Sequence, residues 1–329
     1  MAYSRSGSPI ITRAIGCFFF CSYDQDSMIE TFESLSHSRR LGKRIKMSLN
    51  TANWNKVLTD KVVLLTGGAG GVARYIARAC YDHGARLVLG DLNIDVLEKI
   101  KNEILAADDQ NEDRILLVDL DVRDERSIER AVQLTLNKWK TIDVLLNTSV
   151  IFHKQHWKRI EFYFSAATYV LGNVEEASAH DWTRVFDVNV RGYALMVKHI
   201  VPIMKEHQRG SIVNMASVSG LTASPDWVPY SATKGAILQL TRNLALDLGS
   251  FNIRVNSVSP SGINTPVTFT IGESRGIDRQ TLEKVLEGKC LQRICSPEEV
   301  ANLFVFLASD LCSFMTGANL VLDGGSTIV

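Results

Sequence analysis

From Lys61 to the C-terminus, short apolar runs alternate with longer helical patterns, and this alternation restricts the possible folds more than any other feature of the chain. Strands that recur with helices between them form βαβ units with a parallel sheet. Because the runs are apolar throughout, they suit strands that are covered on both faces. The pattern therefore predicts an α/β fold, a doubly wound parallel sheet of Rossmann type with helices on both faces.

The individual elements follow from apolar periodicity and from the turn residues at their ends. A polar region that contains Gly272 and Gly276 is predicted to separate the sixth strand from the last helix. The predicted strands are Lys61–Thr66, Arg86–Gly90, Ile115–Val118, Ile142–Leu146, Ser211–Met215, Ile253–Val258 and Asn319–Leu322. The predicted helices are Val72–His83, Ile94–Ala106, Glu125–Trp139, Asp181–His207, Val228–Leu248 and Pro297–Ala308.

The composition excludes several classes of protein. The chain has 329 residues, of which 46% are hydrophobic and 22% charged, which is enough to build a large core. Lys and Arg total 36, as do Asp and Glu, which excludes nucleic-acid binding through overall positive charge. No run approaches the roughly 20 apolar residues of a membrane span. The six scattered cysteines indicate reduced thiols in an intracellular protein.

Residues 1–46 differ in character from the globular pattern, which begins at Met47. The first 23 residues contain Arg5, Arg13 and several serines but no acidic residue. We interpret residues 1–46 as a disordered extension, and we expect the protein to be cytoplasmic. Two alternatives stay open: an organellar, mitochondrial transit peptide, and a gene-model artefact with translation starting at Met47.

A glycine-rich turn lies between the first predicted strand and the first predicted helix. Glycines let the backbone approach a pyrophosphate, and the helix N-terminus offers N–H groups to the anion. A glycine-rich turn alone is weak support, but this position between strand and helix predicts nucleotide binding. The turn reads Thr66-Gly67-Gly68-Ala69-Gly70-Gly71-Val72-Ala73.

Asp91 and Leu92 follow the second strand, with Asp91 located 24 residues after Gly67. A carboxylate there can accept hydrogen bonds from the ribose hydroxyls and would repel a 2′-phosphate. No Arg or Lys lies in the turn or directly after Asp91. The sequence therefore predicts NAD rather than NADP as cofactor. In the alternative interpretation, Asp91 is the N-cap of the helix that follows.

Tyr230 and Lys234 are spaced i, i+4 in a predicted helix, so their side chains lie on one face. A phenol is a poor base at pH 7, but a nearby ammonium group stabilises the phenolate and lowers its pKa. The pair can then exchange a proton with an alcohol or carbonyl oxygen. Ser217, 13 residues before Tyr230, could hydrogen-bond that oxygen.

These features together resemble the short-chain dehydrogenases/reductases, from about Trp54 to the C-terminus. The resemblance rests on the order and spacing of the glycine-rich turn, Asp91, Asp121-Val122, Asn189, Ser217, Tyr230/Lys234, Arg254-Val-Asn256, Pro260…Thr265 and Asp323-Gly-Gly325. It implies that residues 47–329 are one dinucleotide-binding oxidoreductase domain.

The resemblance also implies roles for the matching residues. Tyr230 would be the acid/base, Lys234 would hold the nicotinamide ribose, and Ser217 would orient the substrate oxygen. Asn189 would hold a water in a proton relay. Asp121 would accept from the adenine amine, with Val122 beside it. The remaining cofactor contacts would come from Leu92, Asn147, Pro260, Ile263 and Thr265.

The sequence departs from the family pattern at three places. Ala73 replaces the last glycine of the turn, where a methyl group is small enough to be tolerated. Ser261 follows Pro260 where the family has glycine, which matters if that position needs positive φ. The family's Asn-Asn-Ala-Gly segment reads Asn147-Thr148-Ser149-Val150 here.

Residues 150–172 form an unusually aromatic insertion between Asn147 and Asn189, which are 42 residues apart. Exposed aromatic surface of this kind needs cover in water. Four interpretations stay open: a substrate lid or partner surface, ordinary packing of a long loop, translated non-coding sequence, and a metal site at His153 and His156. The last lacks an obvious third ligand, so no metal is expected.

Two functional hypotheses result. The first is an NAD(H)-dependent oxidoreductase that acts on a secondary alcohol or ketone of a small, apolar substrate. The second is a dinucleotide-binding sensor, scaffold or damaged isoform with little catalysis, motivated by Thr148–Val150. The substrate pocket is expected from Leu221–Pro229 and Pro266–Cys290, where Trp227 and Phe269 offer apolar surface. The resemblance further implies a homotetramer or homodimer.

Overall fold

Seven parallel strands form a single sheet in the order β3-β2-β1-β4-β5-β6-β7. The computed structural model of the protein describes residues 56–107, 111–149, 173–274 and 276–329. All seven predicted strands are present, and the predicted doubly wound parallel sheet is confirmed. Their bounds are β1 (Val62–Thr66), β2 (Arg86–Asp91), β3 (Ile115–Asp119), β4 (Val144–Asn147), β5 (Gly210–Met215), β6 (Ile253–Pro260) and β7 (Asn319–Leu322).

Helices connect the strands and cover both faces of the sheet, as the apolar strands require. Within the described ranges the helices are α1 (Ala73–Asp82), α2 (Ile94–Ala107), α3 (Glu125–Trp139), α4 (Ala179–Phe186), α5 (Tyr193–His207), α6 (Val228–Leu248), α7 (Pro266–Ser274), α8 (Arg279–Leu286) and α9 (Pro297–Ala308).

The core is divided by the sheet into two apolar clusters. Val63 and Leu65 of β1 face a cluster that includes residues of α1, α2 and α9. Val62 and Leu64 face the opposite cluster, which includes residues of α3, α5 and α6. This alternation within one strand follows from the two-residue period of side chains in a strand. Burial on both faces fixes the register of each strand.

The predicted long helix over Asp181–His207 is interrupted. A π-helical segment, Asp187–Gly192, separates α4 from α5. Such segments widen the helix locally and occur often at functional sites. Helix α4 begins with a capping box, in which Ser178 and Asp181 hydrogen-bond each other's backbone N–H groups.

The region around Gly272 and Gly276, for which the sequence predicts only polar character, contains the two helices α7 and α8. Gly272 is inside α7, where a Cβ atom would lie 2.2 Å from Leu282 Cδ2 of α8. The glycine therefore permits close packing of the two helices. Gly276 has a φ of +71° and lies in the turn between them.

Some of the predictions made from the sequence concern residues that the structure does not describe. Ala52–Val329 group into one compact unit. The predictions for residues 1–46 and 150–172, including the metal interpretation of His153 and His156, lie outside the described residues. None of the helices in the described part of the chain is both long and apolar enough to cross a membrane.

Candidate active site

The carboxyl ends of the parallel strands meet at one edge of the sheet. Such an edge is where doubly wound sheets bind ligands, at the point where the strand order reverses. In this sheet the reversal lies between β1 and β4, which are neighbours although β2 and β3 come between them in sequence. Five strands end here at predicted site residues or next to them: Thr66, Asp91, Asn147, Met215 and Pro260.

The glycine-rich turn leaves β1 at this edge. Gly67 has a φ of +66°, and a Cβ atom there would lie only 2.9 Å from Ser149 Cα. The Gly68 N–H donates to the Gly90 carbonyl at 3.0 Å, which ties the turn to β2. Helix α1 then begins at Ala73 with Val72 as its N-cap. The turn thus leads directly into the N-terminus of α1, the arrangement that a pyrophosphate site requires, and its role in binding stays a prediction.

Thr148 and Ser149 hold this turn from the side of β4. The Thr148 hydroxyl donates to the Thr66 carbonyl at 2.6 Å, and the Thr148 N–H donates to Thr66 Oγ1 at 3.2 Å. The Ser149 N–H also points to Thr66 Oγ1, at 3.4 Å. The family's Asn-Ala is replaced here, but the hydroxyl groups of Thr66 and Thr148 still connect the ends of β1 and β4.

Asp91 is almost fully buried beside the turn. Its carboxylate accepts from the N–H of Ala69 at 3.2 Å and from the N–H of Asn93 at 3.0 Å. The Asn93 side chain accepts from the Val96 N–H in the first turn of α2. Asn93 therefore occupies the capping position, and the alternative in which Asp91 caps α2 is wrong. The adjacent Leu92 side chain is about half exposed.

Asp121 and Val122 follow β3 at the same edge. The Arg123 guanidinium beside Asp121 holds the pKa of that carboxyl below its usual range. Its Nη2 lies 2.7 Å from Asp121 Oδ2. Val122 is buried against the π-helical segment, where a Cβ atom on Gly192 would lie 2.8 Å from Val122 Cγ2.

Tyr230 and Lys234 lie one turn apart on α6, and both are buried. Lys234 Nζ donates to the Met215 carbonyl at 2.7 Å and lies 5.6 Å from the centroid of the Tyr230 ring. The predicted juxtaposition of the two side chains is therefore present. Burial lowers the pKa of Lys234 to about 7. This ammonium group releases its proton far more easily than a lysine in water.

Ser217 and Trp227 lie near the start of α6. Ser217 comes two residues after the end of β5, is buried, and accepts from the Ser219 N–H at 3.1 Å. The Trp227 ring packs edge-on against Tyr230, with centroids 5.3 Å apart and planes at 68°. Such contact restricts the phenol ring by packing. Trp227 thus contacts Tyr230, and Lys234 reaches the end of β5 at Met215, two residues before Ser217.

Asn189 is presented by the π-helical segment and is fully buried. Its Nδ2 donates to Thr233 Oγ1 at 3.1 Å, and the Thr233 hydroxyl donates to the Tyr230 carbonyl at 2.7 Å. Asn189 Oδ1 has no hydrogen-bond partner among the described residues. A buried amide oxygen of this kind is a suitable site for an ordered water.

Asn147 continues this buried polar cluster across the sheet. Its Nδ2 donates to Asn214 Oδ1 at 3.0 Å, and Asn214 donates in turn to Thr241 at 3.0 Å. Sequence reasoning missed Thr233, Asn214 and Thr241. Their partners are on other elements, so no local pattern marks them.

The loop after β6 brings Pro260, Ile263 and Thr265 to the same edge. Ile263 forms a parallel bridge with Cys295. Thr265 is buried and faces the turn, since a Cβ atom on Gly71 would lie 3.6 Å from Thr265 Cβ. Ser261 has no positive φ, so its replacement of glycine causes no backbone strain.

A nicotinamide dinucleotide fits these residues. The turn of Gly67–Gly71 leaves room for a pyrophosphate. Asp91, at the end of β2, lies beside the turn, and Asp121 follows β3 at the same edge of the sheet. Asn189 Oδ1 and Asn147 Oδ1 are buried acceptors without a partner in the described residues. Thr265, which faces Gly71, borders the other side of this space.

One group of described side chains has the composition and spacing of a metal site. Glu125 and Glu129 of α3 lie close to His199 of α5. Lys198 Nζ already contacts both oxygens of Glu125, at 2.8 and 3.1 Å. None of these residues is a predicted site residue, and we assign no ion to them.

Comparison with known proteins assigns this fold and site to a family. The family model described as "Enoyl-(Acyl carrier protein) reductase" matches residues 67–327. Trans-4-hydroxycyclohexanecarboxylate dehydrogenase of Sinomonas cyclohexanicum is 36% identical over 82% of this chain and 94% of that enzyme. Meso-2,3-butanediol dehydrogenase of Serratia marcescens is 35% identical over 82% and 95%. Cyclopentanol dehydrogenase of Comamonas testosteroni is 34% identical over 82% and 98%.

Solved structures agree with these sequence relatives. The crystal structure of levodione reductase matches with a TM-score of 0.73 and 29% identity over 83% of this chain and 99% of that one. A 3-ketoacyl-(acyl-carrier-protein) reductase from Brucella melitensis, complexed with NADH, matches with a TM-score of 0.68 and 28% identity, over 82% and 99%. The chain belongs to the short-chain dehydrogenase/reductase family, whose members bind a nicotinamide dinucleotide and oxidise or reduce CH–OH/C=O groups.

Proposed function

We propose that the protein is an NAD(H)-dependent dehydrogenase of secondary alcohols on a small, apolar ring. The observation that carries this proposal is the buried pair of Tyr230 and Lys234, in which Lys234 Nζ donates to the Met215 carbonyl at the end of β5. A buried phenol and a buried ammonium on one helix face have little structural value by themselves, because burying a charge is costly. Their arrangement has a chemical use as an acid/base pair.

Residues of the turn and of the neighbouring strand ends would hold the cofactor. The backbone from Thr66 to Val72 would bind the pyrophosphate, and Asp121 with Val122 would border the adenine. Asn147, Pro260, Ile263 and Thr265 would border the nicotinamide half. When bound, the nicotinamide supplies the carbon that accepts or gives a hydride.

Asp91 supports NAD rather than NADP. Its carboxylate is fixed by two backbone N–H groups and lies beside the turn. An ionised carboxylate there favours a ribose with free hydroxyls and repels a 2′-phosphate. A family neighbour from Brucella melitensis is complexed with NADH, which agrees with this choice.

Tyr230 would exchange a proton with the substrate oxygen. Lys234, when protonated, stabilises the phenolate across the 5.6 Å between Nζ and the ring centroid. Ser217 would donate a hydrogen bond to the same substrate oxygen. Asn189 would hold a water through its buried Oδ1 and so pass protons between Lys234 and solvent.

The substrate proposal rests on relatives and on one wall of the site. Two relatives are named for ring alcohols, hydroxycyclohexanecarboxylate and cyclopentanol, and one for an open-chain diol. Trp227 places a flat apolar ring against Tyr230. An aliphatic ring can bury more surface against such a wall than a short open chain can.

Steady-state oxidation of cyclopentanol, cyclohexanol and 2,3-butanediol with NAD⁺ and with NADP⁺ tests this proposal. We expect NAD⁺-dependent turnover that is fastest with a ring alcohol. Tyr230→Phe should reduce turnover at least about 100-fold, since general acid–base catalysis contributes about 10²–10⁴-fold. NADH binding should persist, because the phenol oxygen is a small part of the cofactor contact. A Tyr230→Phe enzyme with near-normal turnover would refute the mechanism.

A dinucleotide-binding protein with little catalysis is the second candidate. It was suggested by the loss of Asn-Ala-Gly at 148–150, but Thr148 and Ser149 still connect β1 to β4. Tight NADH binding without turnover of any alcohol in the panel would favour this candidate.

We also propose a homodimer or homotetramer and a cytoplasmic location, with the mitochondrion as the alternative if residues 1–46 act as a transit peptide. Family resemblance supports the oligomer. Light scattering on the purified chain and localisation of a C-terminally tagged chain, with and without residues 1–46, test these two points.

A further inference from the structure

Arg123 folds back onto its own loop and grips Asp121 with three donors. Its backbone N–H and its Nε each lie 2.9 Å from Asp121 Oδ1, and its Nη2 lies 2.7 Å from Oδ2. The Asp121 and Arg123 side chains are 24% and 41% exposed, so the pair borders the site without being buried. Paired donors of this kind fix the plane of a carboxylate as well as its charge.

A second acid attracts the guanidinium. Asp187, in the π-helical segment, raises the pKa of Arg123 by Coulombic attraction, after the larger effect of its hydrogen bond to Asp121. Asp187 is itself paired with Arg191 at 3.0 Å. Val122, between the two partners, packs against Gly192 of the same segment. The loop is therefore fixed by packing and by charge.

The fixed carboxylate keeps accepting capacity. Each carboxylate oxygen has two lone-pair directions. Nη2 occupies one direction at Oδ2. Nε has a single hydrogen, which it directs to Oδ1 at 2.9 Å, so its 3.2 Å contact with Oδ2 is only the longer arm of a shared hydrogen bond and leaves the second direction open. Oδ2 can therefore accept one further donor from the site. An amine donor suits this position, whereas a carbonyl oxygen would meet negative charge.

We propose that Arg123 is a positioning residue for adenine recognition, because it holds the Asp121 carboxylate in the orientation that accepts from the exocyclic amine. This inference rests on the proposed function, in which Asp121 meets the adenine. Arg123 itself does not contact the base. Without the guanidinium, Asp121 would have to be ordered at the moment of binding, which costs about 3- to 10-fold in affinity for one side chain.

Fluorescence titration with two dinucleotides tests the inference. NADH carries the exocyclic amine, whereas reduced nicotinamide hypoxanthine dinucleotide has a carbonyl oxygen in its place. The wild-type chain should prefer NADH. In Arg123→Met, the preference for NADH over the hypoxanthine analogue should fall about 3- to 10-fold. Arg123→Gln is the second variant, and thermal unfolding checks that both are folded.

Arg130→Met is the matched control. Arg130 lies on α3, is 59% exposed, and its guanidinium is 3.7 Å from the Asp119 carboxylate. Its loss removes the same charge from the same region but leaves Asp121 gripped. Both dinucleotides should weaken equally in this control, if they weaken at all.

Four results would overturn the inference. If Arg123→Met and Arg123→Gln weaken both dinucleotides equally, the guanidinium acts by charge alone. If neither affinity changes, Asp121 needs no positioning. If the wild type binds NADH tightly but does not distinguish the analogue, Asp121 does not read the amine, and the proposed dehydrogenase function is unaffected. If the wild type binds neither dinucleotide, the proposed function fails as well.

Discussion

The edge of the sheet where the strands terminate carries different chemical groups at its two ends. At the β1–β3 end, backbone N–H groups and carboxylates predominate, and Asp121 and Leu92 remain in contact with solvent. At the β4–β6 end, Asn147, Asn189 and Lys234 are buried and bond to other buried groups. The first end suits a polar ligand whose anionic group meets the backbone N–H donors and whose hydroxyl and amine groups meet the carboxylates. The second removes water from groups whose proton affinity then depends on their neighbours.

This difference predicts a division of labour. Substitutions at the β1–β3 end should change cofactor affinity and selectivity, whereas those at the β4–β6 end should change turnover and its pH dependence. Each of the following experiments tests that division.

Lys234→Met should have the largest effect. Removing the ammonium leaves the Tyr230 phenolate without its nearest cation, so kcat should fall by about 10²- to 10⁴-fold. NADH affinity should fall much less. Steady-state kinetics and fluorescence titration on the same preparation separate the two effects. Lys198→Met, an exposed lysine paired with Glu125, is the control and should keep full turnover. Equal losses in kcat and affinity would contradict the division.

The same variant predicts a pH-dependent stability difference. The pKa of Lys234 is about 7 in the folded protein, well below the 10.5 of an ordinary lysine. Between these values the unfolded chain binds more protons, so the free energy of unfolding rises with pH. Relative to Lys234→Met, the wild type should gain up to about 1.4 kcal/mol per pH unit across this window. Urea unfolding at pH 7, 8 and 9 measures the difference. A flat difference would mean that Lys234 stays protonated when buried.

Asp91→Ala should change affinity without changing the chemistry. NADH binding should weaken about 10- to 150-fold, since hydrogen bonds to a charged group contribute about 1.5–3 kcal/mol. NADPH binding should improve, because a negative charge is removed. Asp95→Ala, an exposed acid in the first turn of α2, is the control. If both dinucleotides weaken, the loss of the bond to the Ala69 N–H has loosened the turn.

Thr148→Val should have the smallest effect. It removes the hydroxyl that donates to the Thr66 carbonyl but keeps the shape of the side chain. Stability should fall by about 1 kcal/mol, the usual net value of one hydrogen bond. Thr148→Ser retains the donor and should lose less, as measured by chemical unfolding. Equal losses of stability in the Val and Ser variants would mean that the hydrogen bond of the Thr148 hydroxyl group is not the cause.

The sequence predicted the strands well because each is a continuous apolar run between turn residues. Thr66, Asp91 and Asn147 could be placed at one edge for the same reason, since parallel strands end together. The i, i+4 spacing of Tyr230 and Lys234 needed only the helix to be correct, and α6 has the predicted bounds.

What the sequence did not reveal depends on partners from distant elements. Gly272 lets Leu282 of the next helix approach, and the sequence around Gly272 does not indicate that partner. The π-helical segment keeps a helical apolar pattern, so periodicity does not distinguish it from α-helix. Thr233 is recognisable only through Asn189, which donates to its hydroxyl from another element. Arg123 differs, because its partner Asp121 is only two residues away, but an arginine in a loop does not by itself predict that contact.

The pairing of β1 with β4 also sets when the site can form during folding. The Val62 N–H donates to the Asp143 carboxylate across 81 residues of sequence, and β4 in turn pairs with β5. The chain loses conformational entropy when it closes such a long loop, and only then can the stabilising contacts form. Parallel pairings of this kind therefore form slowly. On a ribosome, the backbone N–H and C=O groups on the edge of β1 that pairs with β4 would stay unpaired until β4 has been synthesised. Early truncation products would expose that edge and should aggregate.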